Sequence, residues 1–105
     1  MIRVIIESPY AGNVERNLAC ARAAMRDSIT RGEAPIASHL LYTQPGILDD
    51  GLAEERRLGI AAGLRWGELA ELAVVYRDFG ITAGMREGIA AAEVANRPVI
   101  FRNIL

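Results

Sequence analysis

A chain of 105 residues, 51% hydrophobic and 24% charged, has the size and balance of one globular domain, here residues 1–105. A net charge of −1, with no Lys/Arg cluster set apart from the acids, argues against a polymeric nucleic-acid partner, since phosphate contacts need a basic face. The single cysteine excludes an internal disulfide, no run approaches the roughly 20 apolar residues of a membrane span, and "MIRVIIESPY" lacks the organisation of a signal peptide, so a cytoplasmic location away from membranes is expected.

The run "IRVII" (2–6) is β-branched and without polar alternation, as expected of a strand buried on both faces. From Asn13 to about Thr30, residues Val14, Leu18, Ala21, Met25 and Ile29 recur at helical spacing, and Gly32 ends the helix. "APIAS" (34–38) reads as a second strand. Residues 39–50, "HLLYTQPGILDD", read as a loop turning at Pro45 and Gly46. A helix follows from Gly51 or Leu52 to Ala70, and "LAVVY" (72–76) is a third strand. Thr82 is the expected N-cap of a last helix that runs to about Ala95. "RPVIF" (97–101) closes the chain as a fourth strand.

Strands alternating with helix-length crossovers predict an α/β three-layer sandwich, flavodoxin-like or Rossmann-like, with a parallel sheet of four strands and room for a fifth. In such sheets ligands bind beyond the carboxyl ends of the strands, where neighbouring connections diverge. The strands deliver "ESPYAGN", "SHLLYTQ", "YRDFGITAG" and "RNIL" to that edge. The polar residues of the chain therefore gather where this architecture puts its site.

The ordered set "SPYAG", Asn17, "PIASHLLYTQ", "LDD", "EER", "LGIAAG" and "DFGITAGM" resembles the nucleoside 2-deoxyribosyltransferase-like superfamily, and most of all its small, mostly uncharacterised branch common in phages and bacteria. The resemblance spans nearly the whole chain. It implies a transferase or hydrolase acting on the N-glycosidic bond of a nucleoside or nucleoside monophosphate through a glutamate nucleophile. It further implies that no metal or redox cofactor is needed, and that the chain forms a homodimer or higher homo-oligomer. The alternative is a nucleotide-binding protein, a sensor or sequestering protein of the kind phages encode, that keeps the pocket without the chemistry.

Breaking an N-glycosidic bond builds positive charge on the sugar, which a carboxylate on one face can capture while a second polar group assists the departing base. The resemblance offers Glu87 as nucleophile with Asp78 as its polar partner. It offers Ser8, Pro9, Tyr10, Asn13, His39, Thr82, Gly84 and Met85 as residues that hold the ligand. Two departures stand against this pattern. Counting back from the last strand, the expected glutamate falls on Gly88, with Glu87 one residue early and so about 100° away around the helix. Either the helix starts differently or the position has lost its acid. Glu7 also stands before Ser-Pro where relatives usually have a small residue. It either pairs with an arginine or reaches solvent, or it supplies the carboxylate.

Other residues carry two readings each. His39, the one histidine, is either structural or part of the pocket; alone it makes no metal cluster. Asp49 or Asp50 can face a sugar, although capping the next helix is the stronger reading for Asp50. Glu55 belongs either to a solvated first turn or to the pocket rim. Gly59, Gly63 and Gly67 line one helix face without side chains, which suits tight packing on the sheet or, with Trp66, a homodimer contact. A dinucleotide fingerprint, a P-loop and a Gly-x-Ser-x-Gly elbow are absent from the sequence.

Overall fold

A computed structural model describes residues 1–105. The elements are β1 (Arg3–Glu7), α1 (Val14–Thr30), β2 (Ala34–Ile36), α2 (Ser38–Leu41), α3 (Ala53–Gly67), β3 (Leu72–Tyr76), α4 (Ala83–Val94) and β4 (Val99–Arg102). All strands pair in parallel, in the order β2-β1-β3-β4, with Val4 opposite Pro35 and Leu72, and Val74 opposite Ile100. The expected four-stranded α/β sandwich is the fold of the chain, and the sheet has no fifth strand. No helix is long and apolar enough to cross a membrane.

Right-handed crossovers put α1 on one face of the sheet and α3 and α4 on the other. Val4, Ile6, Val74 and Tyr76 point to the first face and bury against Ala24 of α1 and Ala37 beside α2. Ile5 and Ala73 point to the second face, against Ala92 of α4. Alanines at 21, 24 and 92, all fully buried, keep the helices close to the β-branched strand surface.

Three boundaries differ from expectation. After Ile36 the chain turns into the short helix α2 rather than continuing as strand and loop. This lets Leu40 pack on the core, while Thr43 Oγ1 and Gln44 Nε2 donate to the carbonyls of His39 and Leu40 at 2.6 and 2.9 Å. α3 stops at Gly67, short of Ala70, where a turn carries the Ala70 amide to the Gly67 carbonyl. β4 starts at Val99, because Asn96 reverses the chain at φ 55° and Pro98 has no amide to give the ladder.

The glycine face of α3 is turned inward. A Cβ at Gly63 would overlap Ser38, one at Gly59 would press on Leu48, and one at Gly67 would touch Ile5. These glycines let α3 lie against α2 and the sheet, and Trp66 remains half exposed beside them.

Candidate functional site

β1 and β3 are neighbours at the centre of the sheet, and their connections leave in opposite directions, toward β2 and toward β4. Connections that part in this way leave a crevice beyond the carboxyl ends of the strands. A cavity of about 100 Å³ lies there. β1 and its loop contribute Glu7, Ser8 and Tyr10, and α2 contributes Ser38 and His39. Asp50 and Arg56 come from the start of α3, Gly63 and Gly67 from its inner face. Thr82, Gly84, Met85 and Gly88 come from α4, and Arg97 from the loop before β4.

The loop after β1 is held by its own helix. Buried Asn17 donates from Nδ2 to the carbonyls of Tyr10 and Ala11, at 2.9 and 3.0 Å. Gly12, at φ 98°, makes the bend that other residues resist. Asn13 then caps α1, its Oδ1 accepting from the Arg16 amide at 3.1 Å. On the opposite wall Thr82 caps α4 by accepting from the Met85 amide at 3.3 Å. This helix start brings Thr82, Gly84 and Met85 to the cavity.

Glu7 ends the central strand and has no hydrogen-bonding or ionic partner in the protein. Burial alone pushes its carboxyl group up to about 8. No fully buried side-chain nitrogen or oxygen in the chain lacks a partner, so the Glu7 oxygens remain accessible from the cavity. A Cβ placed at Gly88 would have the Glu7 carboxyl carbon and both its oxygens within 2.7 Å. Beside Glu7, Ser8 Oγ and His39 Nε2 share a hydrogen bond of 2.6 Å. Burial holds His39 down at about 4, so the ring is neutral near pH 7. Arg56 Nη1 meets Asp50 Oδ2 at 3.2 Å on the third wall.

Of the residues expected at the site, Ser8, Tyr10, His39, Thr82, Gly84 and Met85 line the cavity, and so does Glu7. Several others do not. Glu87, expected to be the nucleophile, lies outside the lining and pairs with Arg57 at 3.1 Å. Asp78, expected to be its partner, accepts from the amides of Ile104 and Leu105 at 2.9 and 2.8 Å and so ties down the C-terminal residues. Asn13 is used by α1 as its cap, and Pro9 packs fully buried beneath the loop. Asp49 accepts from the Gly51 amide. Glu55 receives the Asp49 amide and borders a smaller adjoining recess that shares His39 and Arg56 with the cavity.

Asp50, for which capping was the stronger reading, is not a cap. α3 begins behind Leu52 without a side-chain cap, which leaves Asp50 free to pair with Arg56. Ser38, Arg56, Arg97 and Gly88 also line the cavity, and nothing in the sequence pattern marks the first three as site residues. For Gly88 a signal existed in the sequence, since it falls where the resemblance expects an acid.

A family model described as "Domain of unknown function (DUF7768)" matches residues 2–102. No curated protein matches the chain. Among solved structures, the 2-deoxyribosyltransferase of the psychrotolerant bacterium Bacillus psychrosaccharolyticus, described as a biocatalyst for nucleoside synthesis, superposes with a TM-score of 0.66 at 16% identity. The match covers 96% of this chain and 72% of that one. At that identity the likeness establishes a shared fold.

Proposed function

We propose that this chain, which belongs to the DUF7768 family, acts on the N-glycosidic bond of a nucleoside or nucleoside monophosphate, by transfer or by hydrolysis. The observation that carries the proposal is the unpaired carboxyl group of Glu7, open to a cavity at the strand edge of a fold shared with a 2-deoxyribosyltransferase. A carboxyl group without a protein partner is costly to keep in such a place, and a ligand group is what would offset that cost.

Ionised Glu7 attacks the anomeric carbon. A carboxyl oxygen–carbon bond forms, the carbon–nitrogen bond breaks with its electron pair on the base, and a donor at the cavity protonates the base. Water or a second base then displaces the ester and frees Glu7. Tyr10, Thr82 and the Ser8–His39 pair are the groups that hold sugar hydroxyls, and the Asp50–Arg56 pair faces the remaining polar groups of the ligand. The attacking role thus passes from Glu87 to Glu7.

A second reading has its own support. With its carboxyl group pushed up to about 8, Glu7 is mostly neutral at pH 7 and can donate a hydrogen bond to a nucleobase without attacking anything. That describes a nucleotide-binding protein without turnover.

The test is chromatographic. Purified protein is incubated with a panel of nucleosides and nucleoside monophosphates, with and without an added acceptor base. Release or exchange of base that disappears in Glu7→Gln supports the enzyme. Thermal stabilisation by a nucleotide without any base release supports the binding protein. Neither response to any member of the panel ends both readings.

A further inference from the structure

The carboxyl group of Glu7 stands where a side chain at position 88 would begin. Glu7 closes β1 and Gly88 lies in the second turn of α4, on the wall of the cavity. Every other residue type carries a Cβ, and that atom would meet the Glu7 carboxyl carbon and both oxygens within 2.7 Å. The backbone of Gly88 has no positive φ, so no turn or strain explains a glycine here. Within a helix glycine is a poor former compared with alanine. What glycine supplies at this position is empty volume, and Glu7 fills it.

We infer that Gly88 is a positioning residue for Glu7, and that the acid of this site is carried by the strand in a space left free by the helix. This rests on the reading of Glu7 as the acting carboxyl group of the cavity. Two consequences are specific. Filling position 88 expels the Glu7 carboxyl group from its place under α4. Removing Glu7 makes position 88 able to accept a side chain, including an acid, since the carboxyl carbon of an aspartate lies one bond beyond its Cβ. The acid can therefore be exchanged from strand to helix.

The experiment reads the position of the acid separately from catalysis. Glutamate carboxyl carbons are labelled with 13C and followed by NMR against pH, the Glu7 signal being the one absent from Glu7→Gln. In Gly88→Ala the Glu7 midpoint should fall by at least about one unit toward the ordinary carboxylate range. Melting temperature should drop in Gly88→Ala and recover in Glu7→Ala/Gly88→Ala, a coupling that a purely structural glycine would not show. If Gly88→Ala does not fold, rescue of folding by Glu7→Ala supports the inference equally, and lack of rescue overturns it. Base release, where the natural chain has it, should fall about tenfold or more in Gly88→Ala and return in part in Glu7→Ala/Gly88→Asp. A Glu7 titration unmoved by Gly88→Ala, with equal loss of melting temperature in both backgrounds, overturns the inference. A clear coupling without base release from the natural chain upholds the positioning of Glu7 and removes only the enzymatic reading.

Discussion

Arg57 Nη1 lies 3.1 Å from Glu87 Oε1, and this contact holds the first acid of α4 against α3 and away from the cavity. Glu87 and Gly88 are neighbours in sequence but about 100° apart around the helix, so only one of them can face β1. Both partners of the pair are largely exposed, at 66% and 42% of their side chains. Exposed pairs of this kind stabilise by less than about 1 kcal/mol. Glu87→Gln should therefore change stability by no more than that and leave base release within about twofold. A loss comparable to that of Glu7→Gln would return the attacking role to α4.

Two buried groups of opposite sign shape the pH dependence of stability. Glu7 is raised from 4.5 to about 8, so the folded chain holds its proton more tightly than the unfolded chain does. Stability from this group is full below about pH 4.5 and falls as pH rises to about 8. His39 is lowered from 6.5 to about 4, so its contribution is full above about pH 6.5 and falls as pH drops to about 4. The slopes, about 1.4 kcal/mol per pH unit each, oppose one another between about pH 4.5 and 6.5 and give a plateau there. Above it Glu7 acts alone, and stability should fall by roughly 2 kcal/mol by pH 8. Below it His39 and the depressed carboxyl groups of Asp27 and Glu33 all lose stability with acid. The groups facing Glu7 and His39 across the cavity are Tyr10, Asp50, Arg56 and Arg97. Urea titrations from pH 4 to 9 check the shape. Glu7→Gln should remove the alkaline fall and leave the acid limb.

The same group sets the pH profile of turnover. A carboxyl group must be ionised to attack, and Glu7 ionises with a midpoint of about 8 in the free protein. For base release, kcat/KM should rise roughly tenfold per pH unit below that midpoint and level off above it. A profile that instead falls through the midpoint would assign Glu7 to proton donation, and the attacking group would have to be sought elsewhere.

The sheet was readable because its signals are local. β-branched runs of strand length, separated by helix-length patterns, leave little choice but parallel strands, and the cap at Thr82 follows from side-chain chemistry alone, whereas Asn13, read as a ligand contact, turns out to be the cap of α1. The first loop was readable too, since "SPYAG" and Asn17 lie within ten residues of one another. What sequence could not decide was rotation about a helix axis. Glu87 and Gly88 exchange roles for a single-residue shift, and the outcome is set by how α4 seats on the sheet through buried Met85 and Ala92, contacts that are distant in sequence. Asp50 was hidden for a related reason: an aspartate before a helix looks like a cap until the helix is seen to begin at Ala53. α2 was missed because four residues are too few for a periodicity to show.

At the far edge of the sheet, Arg102 closes a network that has nothing to do with the cavity. Its Nη2 and Nη1 donate to the two carboxyl oxygens of Glu33 at 2.6 and 2.8 Å, and Nη1 also reaches Tyr76 Oη at 3.2 Å. Ser28 donates to Glu33, and Tyr76 donates to Asp27. The two charged side chains are only 11% and 12% exposed. Removing one of them strands the other away from water, which costs about 3–5 kcal/mol. Arg102→Met should unfold at markedly lower urea with base release per folded molecule unchanged. Arg102→Lys should recover only part of the loss, because an ammonium cannot match both oxygens at once.

Asn17 is the residue through which the fold reaches the site. Its two donated bonds fix the carbonyls of Tyr10 and Ala11, and its own Oδ1 receives Arg16 at 3.2 and 3.3 Å. Asn17→Ala leaves these groups unmatched in a buried place and should destabilise by about 1–3 kcal/mol. The larger effect should be on the loop. Without Asn17, the segment from Ser8 to Asn13 keeps the Ser8–His39 bond, buried Pro9, the Gly12 bend and the Asn13 cap, but the carbonyls of Tyr10 and Ala11 are released and Tyr10 loses its fixed place at the cavity. Hydrogen exchange of the hydrogen-bonded Val14 and Arg16 amides should quicken by about tenfold or more. Thermal stabilisation by whichever nucleotide the natural chain binds should shrink, while the Glu7 titration stays where it was. Exchange that does not change would mean that the remaining contacts hold the loop unaided, and that Asn17 serves the core alone.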